Sequence, residues 1–156
     1  MYSKNKIGTV IKHIPGHGLA INDSHFGTPI VNEKRKILDK IDFSAFKNKK
    51  SLFAMTAHII YSQYDSINTA THSKIIIDDI IRKKLKFKHI LMSDDISMKA
   101  LKYGLKENVI RSLKAGCNLI LHCNGNINEM RKIANNVSKI DDFVIKKTSQ
   151  FYKFLM

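Results

Sequence analysis

Short β-branched runs alternate with amphipathic helical segments along this chain, and this alternation restricts its possible folds more than any other feature. Strands are predicted over residues 7–11, 52–60, 89–92 and 118–121. A helical segment between two strands returns the chain to the same end of a sheet, so the strands it joins lie parallel. The sequence therefore predicts an α/β fold with a parallel sheet and outer helices.

The predicted helices carry apolar residues at helical spacing. They cover residues 32–41, 74–84, 105–115, 127–137 and 141–155. In the second of them, isoleucines recur at i, i+1, i+4 and i+5, which places them on one stripe. Gly116 follows the third helix, where a helix end needs a residue that tolerates positive φ. The last helix offers Phe143, Phe151 and Phe154 as candidate anchors.

The length of 156 residues limits the architecture further. A complete (β/α)₈ barrel usually needs roughly 250 residues. This chain holds about half as many strand–helix units, with no internal repeat. We therefore expect residues 1–156 to form one domain or part of one. A composition of 44% hydrophobic and 26% charged residues excludes disordered, collagen-like and disulfide-scaffold proteins.

The spacing of the cysteines and the length of the apolar runs indicate the cellular compartment of the protein. No apolar stretch approaches the length of a transmembrane helix, and the N-terminus lacks the apolar region of a signal peptide. Cys117 and Cys123 flank a predicted strand, so at about 3.3 Å per residue they would lie about 20 Å apart, beyond disulfide reach. These features predict a cytoplasmic protein with free thiols and no membrane partner.

The net charge of +14 raises the question of nucleic-acid binding. The lysines are scattered along the chain, and the densest cluster, residues 82–88, is explained as the solvated end of an amphipathic helix. Helix-turn-helix, zinc-finger and RNP-type patterns are absent. We expect no nucleic-acid partner, and a basic nucleic-acid-binding protein is the least favoured hypothesis.

The longest irregular segment, residues 15–28, follows the first predicted strand and carries several reactive side chains. That strand delivers Lys12 and His13 to its C-terminal end, and long loops without secondary structure usually carry function. Asp23 and His25 lie two residues apart, so the carboxylate can reach an imidazole nitrogen and select its tautomer. This loop is the first candidate functional site.

A second acidic site, Ser93-Asp94-Asp95, ends another predicted strand. Ligands bind at the C-terminal ends of parallel strands, but these aspartates could also cap a following helix. The histidines at positions 13, 17 and 25 could be metal ligands, although no established zinc spacing accompanies them. His58 is expected to be a hydrogen-bonded core histidine at a strand end. We predict no metal and no other cofactor.

Four motifs occur in the order that characterises a known family. They are Lys12-His13-Ile14-Pro15-Gly16-His17-Gly18 with Asp23-Ser24-His25, Met55-Thr56-Ala57-His58, Met92-Ser93-Asp94-Asp95-Ile96-Ser97-Met98, and Ala115-Gly116-Cys117-Asn118-Leu119-Ile120-Leu121. Over residues 12–121 the chain resembles the glycoside hydrolase family 3 β-N-acetylglucosaminidases, the NagZ type. The resemblance implies a TIM-type (β/α) barrel and a retaining hydrolase that needs no cofactor.

The resemblance also implies a role for each candidate residue. Asp94 would be the nucleophile that attacks the anomeric carbon, His25 the general acid/base, and Asp23 its orienting partner. Lys12 and His13 would bind hydroxyls of the N-acetylglucosamine ring. The implied substrate is a saccharide in which N-acetylglucosamine is β-1,4-linked to anhydro-muramic acid, released during peptidoglycan recycling. The residues leave phosphorolysis open as an alternative to hydrolysis.

The resemblance begins at about the midpoint of the family's barrel, so the chain is expected to form about half of that barrel. The family's first half supplies an Asp and an Arg that grip the sugar, and no positions here correspond to them. A half barrel exposes a strand edge and an apolar interior, which normally require a partner. A separate polypeptide could complete the barrel, two copies could pair, or the chain could be an inactive remnant or sugar-binding fragment.

Overall fold

A computed structural model, which describes residues 2–156, contains two parallel sheets with associated helices. The main sheet has four parallel strands in the spatial order β1 (Val10–Ile14), β3 (Phe53–Thr56), β5 (Ile90–Asp95) and β6 (Leu119–Leu121). A second parallel pair joins β2 (Ile30–Val31) to β4 (Ile60–Tyr61). The prediction of an α/β fold with a partial (β/α) barrel is therefore confirmed.

Helices follow each strand of the main sheet. They are α1 (Arg35–Lys40), a π-helix (Ile76–Lys84), α2 (Leu105–Ala115), α3 (Ile127–Ala134) and α4 (Asp142–Leu155), with 3₁₀ turns at Tyr2–Asn5 and Phe43–Phe46. Gly116 ends α2 with a φ of 118°, which confirms the predicted helix end. The side chains of Asn126 and Asp141 accept backbone N–H bonds at the starts of α3 and α4.

Three strand predictions were wrong in their boundaries, and the simplest case is the strand predicted over 89–92, which continues to Asp95. The first strand, predicted over 7–11, instead covers Val10–Ile14, because backbone pairing with β3 decides where it begins. The predicted strand 52–60 ends at Thr56, and the chain then leaves the main sheet to form β4 in the second sheet. A continuous run of strand-forming residues does not show where a chain changes sheets.

The hydrophobic core lies between the main sheet and the helices on its outer face. The four isoleucines of the predicted stripe are all buried there, together with Ala54 of β3 and Leu91 of β5. Their helix is of the π type, in which the N–H of Leu85 donates to the carbonyl of Ile80, five residues earlier. The stripe was thus predicted correctly, whereas the hydrogen-bonding pattern was not.

Helix α4 packs differently from the prediction. Phe143 is 37% exposed and is not an anchor, because the helix turns the neighbouring Val144 inward to 3% exposure. Near the other end, the ring of Phe151 meets that of Phe53 edge-on, with centroids 5.0 Å apart. Phe151 also lies against Gly8, where a Cβ atom would come within 2.3 Å of the ring.

Both outer strands of the main sheet have an unpaired edge within residues 2–156. Val10 of β1 is 43% exposed. Beside β6 lies an apolar groove of about 670 Å³, whose lining includes Leu119, Met130 and Val137. This open arrangement agrees with the expectation for half a barrel. Within the described residues, no helix is both long and apolar enough to cross a membrane.

Candidate active site

The C-terminal ends of β1 and β5 bring two of the predicted site residues together. His13 Nε2 lies 3.4 Å from Asp94 Oδ2. Lys12 is in register with Met55 on β3, and Met55 is in register with Met92 on β5. These three side chains therefore lie on the same face of the sheet, opposite to the face that packs on the helices. Parallel pairing places these side chains at one end of the sheet, as the sequence predicted.

The environment of His13 favours its neutral form. Burial lowers the pKa of His13, the negative charge of Asp94 partly opposes this, and the positive charge of Lys12 adds to the lowering. The ring of His17 lies 5.8 Å from that of His13, between centroids, and lowers the same pKa. A neutral His13 can therefore donate or accept a hydrogen bond without adding positive charge beside Asp94.

Asp23 and His25 form the predicted contact on the loop that follows β1. Asp23 Oδ1 lies 2.8 Å from His25 Nδ1 and also accepts the backbone N–H of His25 at 2.9 Å. These two hydrogen bonds, the backbone one first, lower the pKa of Asp23. A carboxylate accepts, so His25 carries a proton on Nδ1, and Nε2 is the end of the ring left for a substrate. The His25 side chain is 72% exposed.

Asp42, which the sequence analysis missed, anchors the first turn of this loop. Its Oδ1 accepts the backbone N–H groups of Gly18 and Leu19 at 3.1 and 3.2 Å. Gly16 packs so closely on Asp42 that a Cβ atom would lie 2.3 Å from the aspartate Cβ. Tyr61 Oη donates to the Gly16 carbonyl at 2.6 Å. Burial raises the pKa of Asp42, and nothing in its local sequence predicts the contact.

The two aspartates at the end of β5 have different partners. Asp95 closes the following turn, because its carboxylate accepts the N–H and Oγ–H of Ser97 and the N–H of Cys123. The sequence left open that these aspartates cap a following helix. Asp95 instead caps a turn, because no helix begins directly after β5. Asp94 Oδ1 accepts the N–H of Asp95 at 2.8 Å, and its Oδ2 faces His13. Asp94 is the carboxylate available for chemistry.

Two further histidines have partners on other elements. His58 is buried and lies within hydrogen-bond distance of Thr71 and the Asp95 carbonyl, which confirms the predicted core histidine. His122 Nε2 lies 2.8 Å from Glu129 Oε2 on α3, a contact that the sequence did not predict. Across residues 2–156, no group of three or more His, Cys, Asp and Glu side chains is arranged to hold a metal ion.

The apolar groove described above does not lie at the ends of β1 and β5. It runs beside β6 and does not include Asp94, and the His13 and Asp94 side chains are 29% and 17% exposed. This arrangement follows from the half barrel, because an enclosed pocket at the strand ends needs walls on all sides.

Comparison with known sequences identifies a matching family. The profile described as "Glycosyl hydrolase family 3 N terminal domain" matches residues 2–148. The Beta-hexosaminidase of Glaesserella parasuis is 40% identical over 119 residues, which are 72% of this chain and 35% of the relative. That of Psychromonas ingrahamii is 34% identical over 147 residues, which are 90% and 41% of the two chains. The chain thus spans 35% and 41% of the length of these relatives.

A solved structure shares the architecture. NagZ from Neisseria gonorrhoeae, in complex with N-trifluoroacetyl-D-glucosamine, aligns with a TM-score of 0.80 and 26% sequence identity. The alignment covers 96% of this chain and 43% of that protein. The part of the barrel seen here is therefore folded as in a complete relative.

Proposed function

This chain belongs to glycoside hydrolase family 3, and we propose that it carries the reacting groups of a β-N-acetylhexosaminidase that works by a retaining mechanism. Two curated relatives are named Beta-hexosaminidase, and the similar NagZ structure holds an N-acylated glucosamine. The observation that carries the proposal is the Asp23–His25 contact of 2.8 Å. It lies on the loop that follows β1, the strand on which His13 contacts Asp94 of β5.

In the first step, an Asp94 carboxylate oxygen attacks the anomeric carbon of N-acetylglucosamine. The bond from that carbon to the leaving oxygen breaks, and the leaving oxygen takes a proton from Nε2 of His25. Asp23 holds the other ring nitrogen, which leaves Nε2 as the end of the ring that faces the substrate. The product is a glycosyl ester on Asp94.

In the second step, the neutral His25 ring removes a proton from water, and the water oxygen attacks the anomeric carbon. The ester bond to Asp94 breaks, which restores both side chains and retains the configuration of the sugar. Most retaining glycosidases use a second carboxylate about 5 Å from the nucleophile for this proton transfer. An imidazole can replace it because imidazoles change charge near neutral pH.

The remaining assignments complete the proposal. Lys12 and His13 bind sugar hydroxyls, and the neutral form of His13 suits a hydrogen bond to an uncharged ring. The substrate class is a muropeptide-derived saccharide of peptidoglycan recycling. A cytoplasmic location belongs to the same proposal and is supported by the free thiols of Cys117 and Cys123.

We further propose that additional parallel strands complete the barrel at the unpaired edges of β1 and β6. The net charge of +14 favours a separate, acidic polypeptide over a second copy, because two copies of this chain repel each other. The second candidate function is sugar binding without hydrolysis. The partial exposure of His13 and Asp94, 29% and 17%, favours it, because water reaches both side chains.

Hydrolysis of a chromogenic β-N-acetylglucosaminide tests the proposal. The chain is assayed alone and together with the remainder of the Glaesserella parasuis relative, which supplies the other half. Asp94→Asn should abolish hydrolysis and His25→Ala should reduce it, whereas Asp79→Asn, an exposed acid on the π-helix, should leave it unchanged. Binding of N-acetylglucosamine without turnover would support the second candidate. Hydrolysis that survives Asp94→Asn would contradict the assigned nucleophile.

A further inference from the structure

Three buried polar side chains form a line of hydrogen bonds that ends on the backbone of β5. Thr56 Oγ1 lies 2.8 Å from Thr71 Oγ1, and Thr71 Oγ1 lies 2.7 Å from His58 Nδ1. His58 Nε2 then lies 3.0 Å from the carbonyl oxygen of Asp95. Each of the three residues is at most 1% exposed, so every polar atom in the line depends on its protein partner.

The carbonyl at the end of the line sets the direction of every hydrogen bond in it. Because a carbonyl oxygen only accepts, Nε2 of His58 carries the proton and donates to Asp95. Nδ1 of the neutral ring then accepts from the Thr71 hydroxyl at 2.7 Å, a proton that the Ala57 carbonyl shares at 3.2 Å, and the Thr71 oxygen accepts in turn from Thr56. Burial lowers the pKa of His58, which keeps the ring in the neutral form that this arrangement requires.

The peptide group that His58 contacts joins Asp95 to Ile96, one residue beyond Asp94. Its carbonyl accepts from His58, and its N–H, which belongs to Ile96, donates to the Leu121 carbonyl on β6 at 3.0 Å. The preceding N–H, that of Asp95, donates to Asp94 Oδ1 at 2.8 Å. A displacement of this backbone would therefore move the Asp94 carboxylate with it.

We propose that His58, supported from behind by Thr71, is a positioning residue that fixes the direction of the Asp94 carboxylate. The inference rests on the proposed function only in taking Asp94 as the nucleophile. A histidine that merely filled the core could be replaced by an apolar side chain of similar size. A positioning histidine needs a donor directed at the Asp95 carbonyl, because an unpaired carbonyl at this depth would shift towards another donor.

Substitutions at His58 separate positioning from packing. His58→Met removes the donor but keeps an unbranched apolar side chain, and His58→Gln retains an N–H donor near the Nε2 position. Position 72 provides the matched control, because burial also lowers the pKa of His72, to about 4, and the ring makes no hydrogen bond to the Asp95 carbonyl in the described part of the chain. Thr71→Val, with Thr71→Ser as its conservative counterpart, tests the second member of the line.

The readout is the titration of His13, followed by NMR of the imidazole protons. The charge of Asp94, 3.4 Å away, raises the pKa of His13 against the effect of burial. If His58→Met displaces Asp94, the pKa of His13 falls further below its value in the parent chain. His58→Gln and His72→Met should leave the pKa of His13 unchanged. In the completed, active barrel, His58→Met should also reduce kcat by roughly 10²-fold with little change in KM, and His58→Gln should restore most of it.

An unchanged His13 titration in folded His58→Met, or an equal shift in His72→Met, would overturn the proposal. If His58→Met does not fold, Thr71→Val decides by the same criterion, with Thr71→Ser expected to match the parent chain. The titration needs no turnover. A chain that shows the expected shifts but hydrolyses nothing even when the barrel is completed would therefore refute the proposed function and leave the role of His58 supported.

Discussion

Single residues in the candidate site differ in what their neighbours allow them to do. Asp94 and Asp95 are adjacent in the chain but have different partners. The Asp95 carboxylate accepts three hydrogen bonds in a turn, whereas one oxygen of the Asp94 carboxylate faces His13. In the same way, His58 is held inside the protein while His25 is exposed on its loop. Burial and hydrogen-bond partners, rather than residue type, separate the supporting groups from the two side chains that are proposed to react.

Loss of the proposed general acid should depend on the leaving group. His25→Ala should lower kcat/KM by about 10²–10⁴-fold for a saccharide leaving group, which needs a proton as it departs. A nitrophenyl glycoside should lose much less, because nitrophenolate leaves without protonation. Asp23→Asn should show the same ranking with a smaller loss. Parallel steady-state kinetics on both substrates checks this, and equal losses on the two would exclude His25 as the acid.

At the scale of secondary-structure elements, the residues of the candidate site lie at, or are held by, the ends of helices and strands. Helix α2 stops at Gly116 so that the chain can enter β6, whose end contacts the turn that follows Asp94. Asp42, which follows α1, holds the start of the loop that carries Asp23 and His25. The geometry of the site therefore depends on where these elements end.

Replacing Gly116 should be costly for this reason. At a φ of 118°, an alanine would be strained, and its Cβ would lie 3.0 Å from Ile77 Cγ2. We expect Gly116→Ala to lower the free energy of unfolding by about 1–2 kcal/mol. Urea denaturation measures this. Gly104→Ala is the matched control, because Gly104 has a φ of −69° and open space around it, and its effect should stay within about 0.5 kcal/mol. Equal losses in the two variants would contradict the argument.

At the scale of the whole molecule, histidines that are partly or fully buried link stability to pH. Burial lowers the pKa of His13, His58, His72 and His89 below 6.5, and that of His72 to about 4. Below pH 6.5 the unfolded chain therefore binds more protons than the folded chain, so the free energy of unfolding falls as pH decreases. His72 alone accounts for a loss on the order of 3 kcal/mol once the pH is below 4.

Urea unfolding at several pH values between 7.5 and 4.5 tests this prediction. The urea midpoint of the parent chain should decrease steadily below about pH 6.5. The midpoint of His72→Gln should decrease less steeply with falling pH. Identical pH dependence of the two proteins would show that His72 does not contribute. A midpoint that rises on acidification would contradict the whole argument.

Part of the site could be predicted because its geometry is local. Asp23 and His25 are two residues apart, so a short turn suffices to bring carboxylate and imidazole into contact. The strand ends could be predicted to meet because parallel strands share one direction. The contacts of Asp42 and Thr71 could not be predicted, because their partners lie on other elements and become neighbours only when those elements pack.

The sequence by itself determined the α/β alternation, the parallel direction of the strands, the buried isoleucine stripe and the glycine that ends α2. These follow from periodicity and backbone freedom, which act over a few residues. Only the tertiary structure decided where β1 begins, that Val144 rather than Phe143 faces inward, and that His58 holds the backbone beside Asp94. Those outcomes depend on register and packing between distant segments, whose energies no local pattern records.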